Sequence, residues 1–298
     1  MKLLLLGGNG QVGRELRRSL AALGEVVVAT RDGAHAEVAA NFDAPDTLVA
    51  LVQRVTPDVV VNAAAYTAVD KAETEPDAAF RVNALGPAAL AQGCKSVGAL
   101  LLHYSTDYVF AGNGQRPYRE DDITAPLGVY GASKLAGEDA IRASGAQHAI
   151  LRTAWVYAAH SQNFLRTMLR LAGEREVLGV VADQIGTPTP AYVIADVTAE
   201  ILRQGLPHSG TWHLTATGQT SWHGFAEAIM AEALALGVIT RAPRVDAIAT
   251  ADYPTPARRP AYSVLDTHKL HQDFGIALPS WQAGLRHVLR TMAEQPLP

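Results

Sequence analysis

The sequence predicts an α/β protein: a doubly wound parallel sheet with helices on both faces, followed by a smaller α/β unit. Three observations carry that expectation. Short apolar runs at 3–6, 26–29, 59–61, 100–103 and 149–151 alternate with longer stretches of helical periodicity. A strand apolar on both sides has to be covered on both faces, which is the condition of a parallel sheet between two helical layers. A chain of 298 residues, 48% hydrophobic and 18% charged, can fill such a core and still build a second domain.

Taken in order, the strand at 3–6 runs into Gly7-Gly8-Asn9-Gly10-Gln11-Val12-Gly13. Val12, Leu16, Leu20 and Leu23 then line one face of a helix, with Arg14, Glu15, Arg17 and Arg18 on the others. Gly24 ends it before the strand at 26–29. Helical stretches at 46–55, 77–97 and 133–142 separate the later strands. Right-handed crossovers wind such a chain outward in both directions. Past Trp155 the rhythm loosens: 163–174 reads as helix, 177–181 as extended, 183–190 as a Gly/Pro-punctuated loop and 192–204 as a further sheet-covering helix. A strand at 212–214, a helix at 222–236, a Pro-rich stretch at 253–260 and a helix after Leu278-Pro279-Ser280 complete the chain. The expected division is a nucleotide-binding domain over 1–155, with a return around 185–205, and a mainly substrate-binding domain over 156–298.

Composition excludes several classes. A net charge of −4 offers no basic face to nucleic acid or anionic lipid. No apolar run approaches the ~18 residues of a membrane helix. The four leucines after Met1-Lys2 stop at Gly7, too soon for an export signal, so a soluble cytoplasmic protein is expected. Cys94 is the only cysteine, which excludes an internal disulfide and a cysteine-based metal cluster.

The glycine turn is the first chemical signal. Glycine adopts positive φ and lets backbone approach a phosphate with no Cβ in the way. A helix N-terminus directly behind it presents unpaired N–H groups and the positive end of a dipole. Glycines at 7, 10 and 13, or at 8, 10 and 13, both satisfy a dinucleotide cradle in this strand–turn–helix setting, the mark of a Rossmann-type domain. At the end of the next strand Arg31 points to the 2′-phosphate of NADPH, whereas Asp32 suits NADH.

The second signal is Tyr130-Gly131-Ala132-Ser133-Lys134, which puts a phenol and an ammonium on one helical face. A phenol with its ordinary pKa near ~10 moves protons poorly at neutral pH unless a cation steadies the phenolate. Upstream, Ser105, Thr106 and Asp107 follow an apolar run, and strand ends of that kind face ligand in an open parallel sheet. Thr106 could there hold a carbonyl oxygen beside Tyr130.

With Gly7-x-x-Gly10-x-x-Gly13, Asn62-Ala63-Ala64-Ala65, Ser105-Thr106-Asp107 and Tyr130-x-x-x-Lys134 in this order, the chain resembles the extended short-chain dehydrogenase/reductase superfamily. Within it the chain is most similar to the dTDP-4-dehydrorhamnose reductase family. That similarity includes NAAAYTAVDKAE at 62–73, YSTDYVF at 104–110 and RTAWVY at 152–157. It continues through Asn163-Phe164, Asp183-Gln184, Gly186-Thr187-Pro188-Thr189, Arg259-Pro260, Ser263 and Leu265.

The resemblance implies NADPH-dependent reduction of the C4 ketone of dTDP-4-dehydro-β-L-rhamnose to dTDP-β-L-rhamnose. It implies Tyr130 as proton donor, Lys134 as the residue that binds the nicotinamide ribose and depresses the Tyr130 pKa, and Thr106 as the carbonyl-positioning hydroxyl. Gly10, Gln11 and Val12 would meet the pyrophosphate, with Phe42 and Asp43 at the adenine end. Ala65, Tyr66 and Thr67 would line the cofactor, and Tyr104 would lie near the nicotinamide. Thr106, Asp107, Trp155, Asn163, Thr189 and Arg259 would contact the dTDP-sugar, although Arg258 stands beside Arg259. Some family members dimerise through a magnesium site of glutamates. Glu15 matches one such position and no further ligand does, so no metal residue is assigned. A dehydratase typically carries an Asp-Glu pair after the threonine, whereas here Asp107 precedes Tyr108. A non-catalytic NADP-binding subunit would not need the intact Thr106, Tyr130 and Lys134.

Overall fold

The five apolar runs become the five middle strands of one sheet in the computed structural model, which describes residues 1–294. In chain order the elements are β1 (Lys2–Leu6), α1 (Gln11–Leu20), β2 (Glu25–Thr30), β3 (Val38–Ala39), α2 (Asp46–Val55), β4 (Val59–Asn62), α3 (Val69–Ala72), α4 (Pro76–Phe80), α5 (Gly86–Val97) and β5 (Leu100–Thr106). Next come α6 (Val129–Ser144), β6 (His148–Thr153), β7 (Val156–Tyr157), α7 (Phe164–Glu174), β8 (Val177–Val181), β9 (Ile185–Gly186), β10 (Thr189–Pro190) and α8 (Ala191–Gln204). The last are β11 (Gly210–His213), β12 (Thr220–Ser221), α9 (Trp222–Ala235), β13 (Arg244–Ile248), α10 (His268–Phe274) and α11 (Trp281–Glu294).

The sheet has the order β11-β6-β5-β4-β1-β2-β3, and every pairing in it is parallel. Because side chains alternate along a strand, Leu3 and Leu5 face one way with Leu16, Leu20 and the α8 residues Val193, Ile194 and Val197. Leu4 and Leu6 face the other way, against Leu48, Leu51 and Val52 of α2 and Leu90 and Cys94 of α5. Cys94 is fully buried, and that burial pushes its thiol up to about 12. A further apolar cluster joins α7, α9 and α11 around Phe225, Leu165, Leu178 and Leu285.

The winding reverses between β1 and β4, so the crevice beyond their carboxyl ends is where this architecture receives a ligand. The glycine turn and the Asn62 segment open at that crevice. No helix among the described residues is long and apolar enough to cross a membrane.

Several elements differ from expectation, among them the unanticipated helix α10, and the short strands β9 and β10 inside the expected 183–190 loop. The helix expected over 77–97 is broken by a π-turn over Arg81–Leu85. A Cβ on Gly86 would lie 2.4 Å from the Phe42 ring, so α5 restarts where only glycine lets the two segments touch. Helix α6 begins at Val129 rather than 133, which places Tyr130 in its first turn. Residues 244–248 form an unexpected strand, paired in parallel with β8.

Candidate active site

The turn after β1 is built so that only glycine fits. Gly7 has φ +77°, and a Cβ on it would fall 2.6 Å from the Ala64 nitrogen. The Gly10 N–H donates to the Gly7 carbonyl at 2.9 Å, and a Cβ on Gly13 would sit 2.1 Å from that same oxygen. Gly10 caps α1 without any side-chain hydrogen bond, which leaves the first-turn N–H groups to an anion. Gln11 accepts from the Asn163 amide at 3.0 Å. Val12 packs, half-buried, against the apolar core on the α8 side. Arg31 is exposed at the end of β2, while the neighbouring Asp32 carboxylate already accepts the Ala34 N–H at 3.0 Å. Phe42 is buried and Asp43 exposed, 3.7 Å from Arg81.

Beyond β4 the segment Ala65-Tyr66-Thr67 is held by Asn83, a residue the sequence did not single out. Its side chain accepts the Tyr66 N–H at 2.8 Å and donates to the Tyr66 carbonyl at 3.1 Å and to Ser133 on α6 at 3.0 Å. The π-turn is what brings Asn83 inward, a common use of such turns. The Tyr66 hydroxyl donates to Glu75 at 2.9 Å.

At the end of β5 the Thr106 hydroxyl donates to Asp107 Oδ1 at 2.9 Å and accepts the Tyr108 N–H at 3.2 Å. Burial pushes the Asp107 carboxyl up to about 6, against hydrogen bonds from Ser263 and Thr106. Tyr130 packs edge-on against Tyr108, with ring centroids 5.7 Å apart. It lines a small hollow with Glu73, Gly128, Ala257, Arg258 and Pro260. Thus a residue of the first half faces a loop of the second.

The electrostatics correct one expectation. Lys134 was expected to depress the Tyr130 pKa, but burial pushes that phenol up to about 12, opposed by the Thr106 hydroxyl. The reason is where the lysine points: Nζ donates to the Tyr104 carbonyl at 2.6 Å and lies 3.2 Å from His103 Nε2. Burial lowers Lys134 itself to about 8, with Glu138 pulling the other way. One turn beyond Lys134, Glu138 is fully buried and receives Arg152 bidentately at 2.9 and 2.7 Å.

Several expected contacts are spent internally. The Tyr104 hydroxyl lies 2.7 Å from Thr198 on α8, so its carbonyl rather than its phenol meets Lys134. Thr189 has no exposed surface; its hydroxyl donates to the Thr187 carbonyl and accepts the Ala216 N–H. Asn163 caps α7 and ties it to Gln11. Arg259 pairs with Asp70 at 2.7 Å on the rim of an apolar cleft of about 450 Å³. Phe164, Met168, Leu178, Trp222 and Tyr253 line that cleft, none of them anticipated as contacts. Trp155 stacks on Trp222 at 3.6 Å and adopts φ +46°, a left-handed backbone rarely taken by a bulky residue. Glu15 accepts from His160 at 3.0 Å and lies 3.5 Å from Arg18.

A glycine cradle at the switch point, with threonine, tyrosine and lysine gathered beyond β5, defines an extended short-chain dehydrogenase/reductase. The RmlD substrate binding domain family matches residues 1–294. A dTDP-4-dehydrorhamnose reductase of Burkholderia thailandensis is 50% identical over 99% of this chain and 100% of its own. Two solved structures of the same description superpose closely. The one from Clostridium acetobutylicum has a TM-score of 0.90 at 35% identity, covering 98% of this chain and 99% of that one. The one from Bacillus anthracis, in complex with NADP, has a TM-score of 0.88 at 33% identity, covering 96% and 98%. The chain therefore belongs to the dTDP-4-dehydrorhamnose reductase family and is an oxidoreductase.

Proposed function

We propose that this chain reduces the C4 ketone of dTDP-4-dehydro-β-L-rhamnose to dTDP-β-L-rhamnose, with NADPH as reductant and Tyr130 as proton donor. The carrying observation is Tyr130 itself: a phenol kept protonated by burial, facing a hollow between the two halves, one helical turn from a buried lysine.

The glycine turn and the uncapped start of α1 fit a pyrophosphate, and the names of the relatives support the substrate. The NADP complex of the B. anthracis relative and the free Arg31 beside an engaged Asp32 support NADPH over NADH. Residues 1–155 would hold the cofactor and 156–298 mainly the dTDP-sugar. The apolar cleft would take the nucleotide, with Asp70 holding Arg259 at its edge. When bound, NADPH supplies the hydride. Thr106 would turn its hydroxyl hydrogen from Asp107 to the ketone oxygen, and Tyr130 gives its proton to that oxygen as the C4–O double bond becomes an alcohol. Lys134, whose Nζ is turned to the Tyr104 carbonyl and His103 rather than to the phenol, would bind the nicotinamide ribose.

The test mixes purified protein with the 4-keto sugar and either NADPH or NADH, with the product configuration read by NMR. NADPH is expected to be oxidised faster and to yield the rhamno product; absence of oxidation with both would overturn the reading. A second expectation concerns the cradle. Gly13→Ala forces a methyl against the Gly7 carbonyl and should weaken NADPH binding at least ~10-fold, an energy of about 1.4 kcal/mol. Fluorescence titration checks it, and an unchanged dissociation constant would remove the turn from the cofactor site.

A further inference from the structure

Behind Tyr130 and Lys134 lies a buried imidazole that the proposed reduction does not employ. His103 on β5 has no exposed surface; its Nδ1 is 3.0 Å from Asn62 Nδ2 and its Nε2 is 3.2 Å from Lys134 Nζ. The Asn62 amide is pinned, because its oxygen accepts the Ala64 N–H at 3.1 Å, so its NH₂ is the group facing the ring. A neutral imidazole carries a single N–H. With Asn62 donating into Nδ1, that hydrogen stands on Nε2 and is aimed at Lys134.

An ammonium has three hydrogens and no lone pair, so it meets Nε2–H badly. An amine accepts from Nε2–H and still donates to the Tyr104 carbonyl 2.6 Å away. For Lys134 to take up a proton, the ring hydrogen has to pass to Nδ1 and the Asn62 amide has to turn over. That rotation strips the Ala64 N–H of its acceptor, in the segment that leads directly into Ala65, Tyr66 and Thr67 and that packs on Gly7.

We propose that His103 is a positioning residue: it sets the charge of Lys134 through a tautomer fixed by Asn62, and so ties proton uptake at the lysine to the 62–64 turn beside the nucleotide cradle. The charged group whose field reaches Lys134 is Glu138 on its own helix, and Glu138 is committed to Arg152 on β6 and to Arg142. The remaining titratable neighbours, Tyr130 on α6 and Tyr104 on β5, are both held neutral by burial. Burial, reinforced by the lysine charge, keeps His103 itself well below the ordinary imidazole range.

Two measurements test this on the intact protein. Only the second rests on the reductase reading. In histidine-labelled protein, ¹⁵N NMR reads the ring tautomer directly, with His103 assigned through Leu102 and Tyr104. The expected result is an imidazole that stays neutral from about pH 5 to 9, a range in which an ordinary histidine titrates, and whose ring hydrogen stands on Nε2 above about pH 8 and passes to Nδ1 below it as Lys134 is protonated. An imidazolium in that range, or a tautomer that does not change with pH, overturns the proposal. In the second, His103→Gln places an amide oxygen where an ammonium can donate to it. The alkaline limb of the reduction rate, set by loss of the Lys134 proton, should then move up by about one pH unit, a tenfold change in proton affinity of the size that charge-assisted hydrogen bonds allow. An unmoved limb in a folded variant overturns it. If wild-type protein fails to reduce the 4-keto sugar, the reductase reading falls, while the tautomer measurement still decides the role of His103.

Discussion

Tyr130→Phe should lower turnover of the 4-keto sugar by about 10²–10⁴-fold, the usual worth of a positioned general acid, and leave NADPH affinity nearly unchanged. The substitution removes one oxygen. The ring remains in the first turn of α6, edge-on to Tyr108. Lys134 keeps its bond to the Tyr104 carbonyl, and the glycine turn is untouched. Steady-state kinetics and a cofactor titration separate the two effects. A variant that keeps more than a third of wild-type kcat would show that another group delivers the proton. Because burial holds the phenol up at about 12, Tyr130 itself contributes no limb to the rate profile at neutral pH. The fall in rate should belong instead to Lys134 and begin as pH rises through about 8.

The second large effect is on stability. Arg152→Met should destabilise the fold by about 3 kcal/mol, the lower end of the cost of leaving a buried charge unpaired, because half-exposed Arg142 still reaches Glu138. Burial alone would push the Glu138 carboxyl up, yet the bidentate Arg152 bond and its charge hold it below the ordinary carboxylate value. A carboxyl with a depressed folded pKa contributes stability above its unfolded value of about 4.3 and loses it as pH falls through the folded value. In the variant Glu138 loses that depression and can become neutral as the pH drops. The gap in Tm between variant and wild type should therefore be widest near neutrality and narrow toward about pH 5. Replacing both partners, Arg152→Met with Glu138→Leu, should recover most of the loss, since removing a buried pair together costs little. Thermal unfolding across that range checks both statements, and a gap independent of pH would contradict the charge-based account.

The sheet was legible because its middle strands are apolar on both faces, a local property that each run displays by itself. The cradle and the Tyr130–Lys134 pair were legible for a similar reason, as short spacings within one turn or one helix. What escaped depended on partners distant in the chain. Strand 244–248 alternates polar and apolar residues, and only its pairing with 177–181 makes it a strand. Asn83 looks like any polar residue of a helix until the π-turn carries it to Tyr66 and Ser133. Thr189 and Asn163 lie in matching motifs, yet their side chains satisfy neighbouring backbone instead of facing a cleft. Trp155 was singled out, whereas Trp222, on which it stacks, was not, because a helical tryptophan has no local mark to distinguish cleft from core. His103 and Asn62 did leave a trace: Asn62 ends the apolar strand β4, and His103 breaks the apolar run of β5 directly after Leu100-Leu101-Leu102.

The fully enclosed sulfur of Cys94, one small residue inside α5, has a practical consequence. A thiol held so far toward its protonated form reacts sluggishly with maleimides and iodoacetamides, since the thiolate is the nucleophile. The natural chain is thus a quiet background for site-directed labelling. One cysteine engineered at exposed Tyr253, on the wall of the apolar cleft, would take a fluorophore alone and report any ligand entering that cleft as a change in emission.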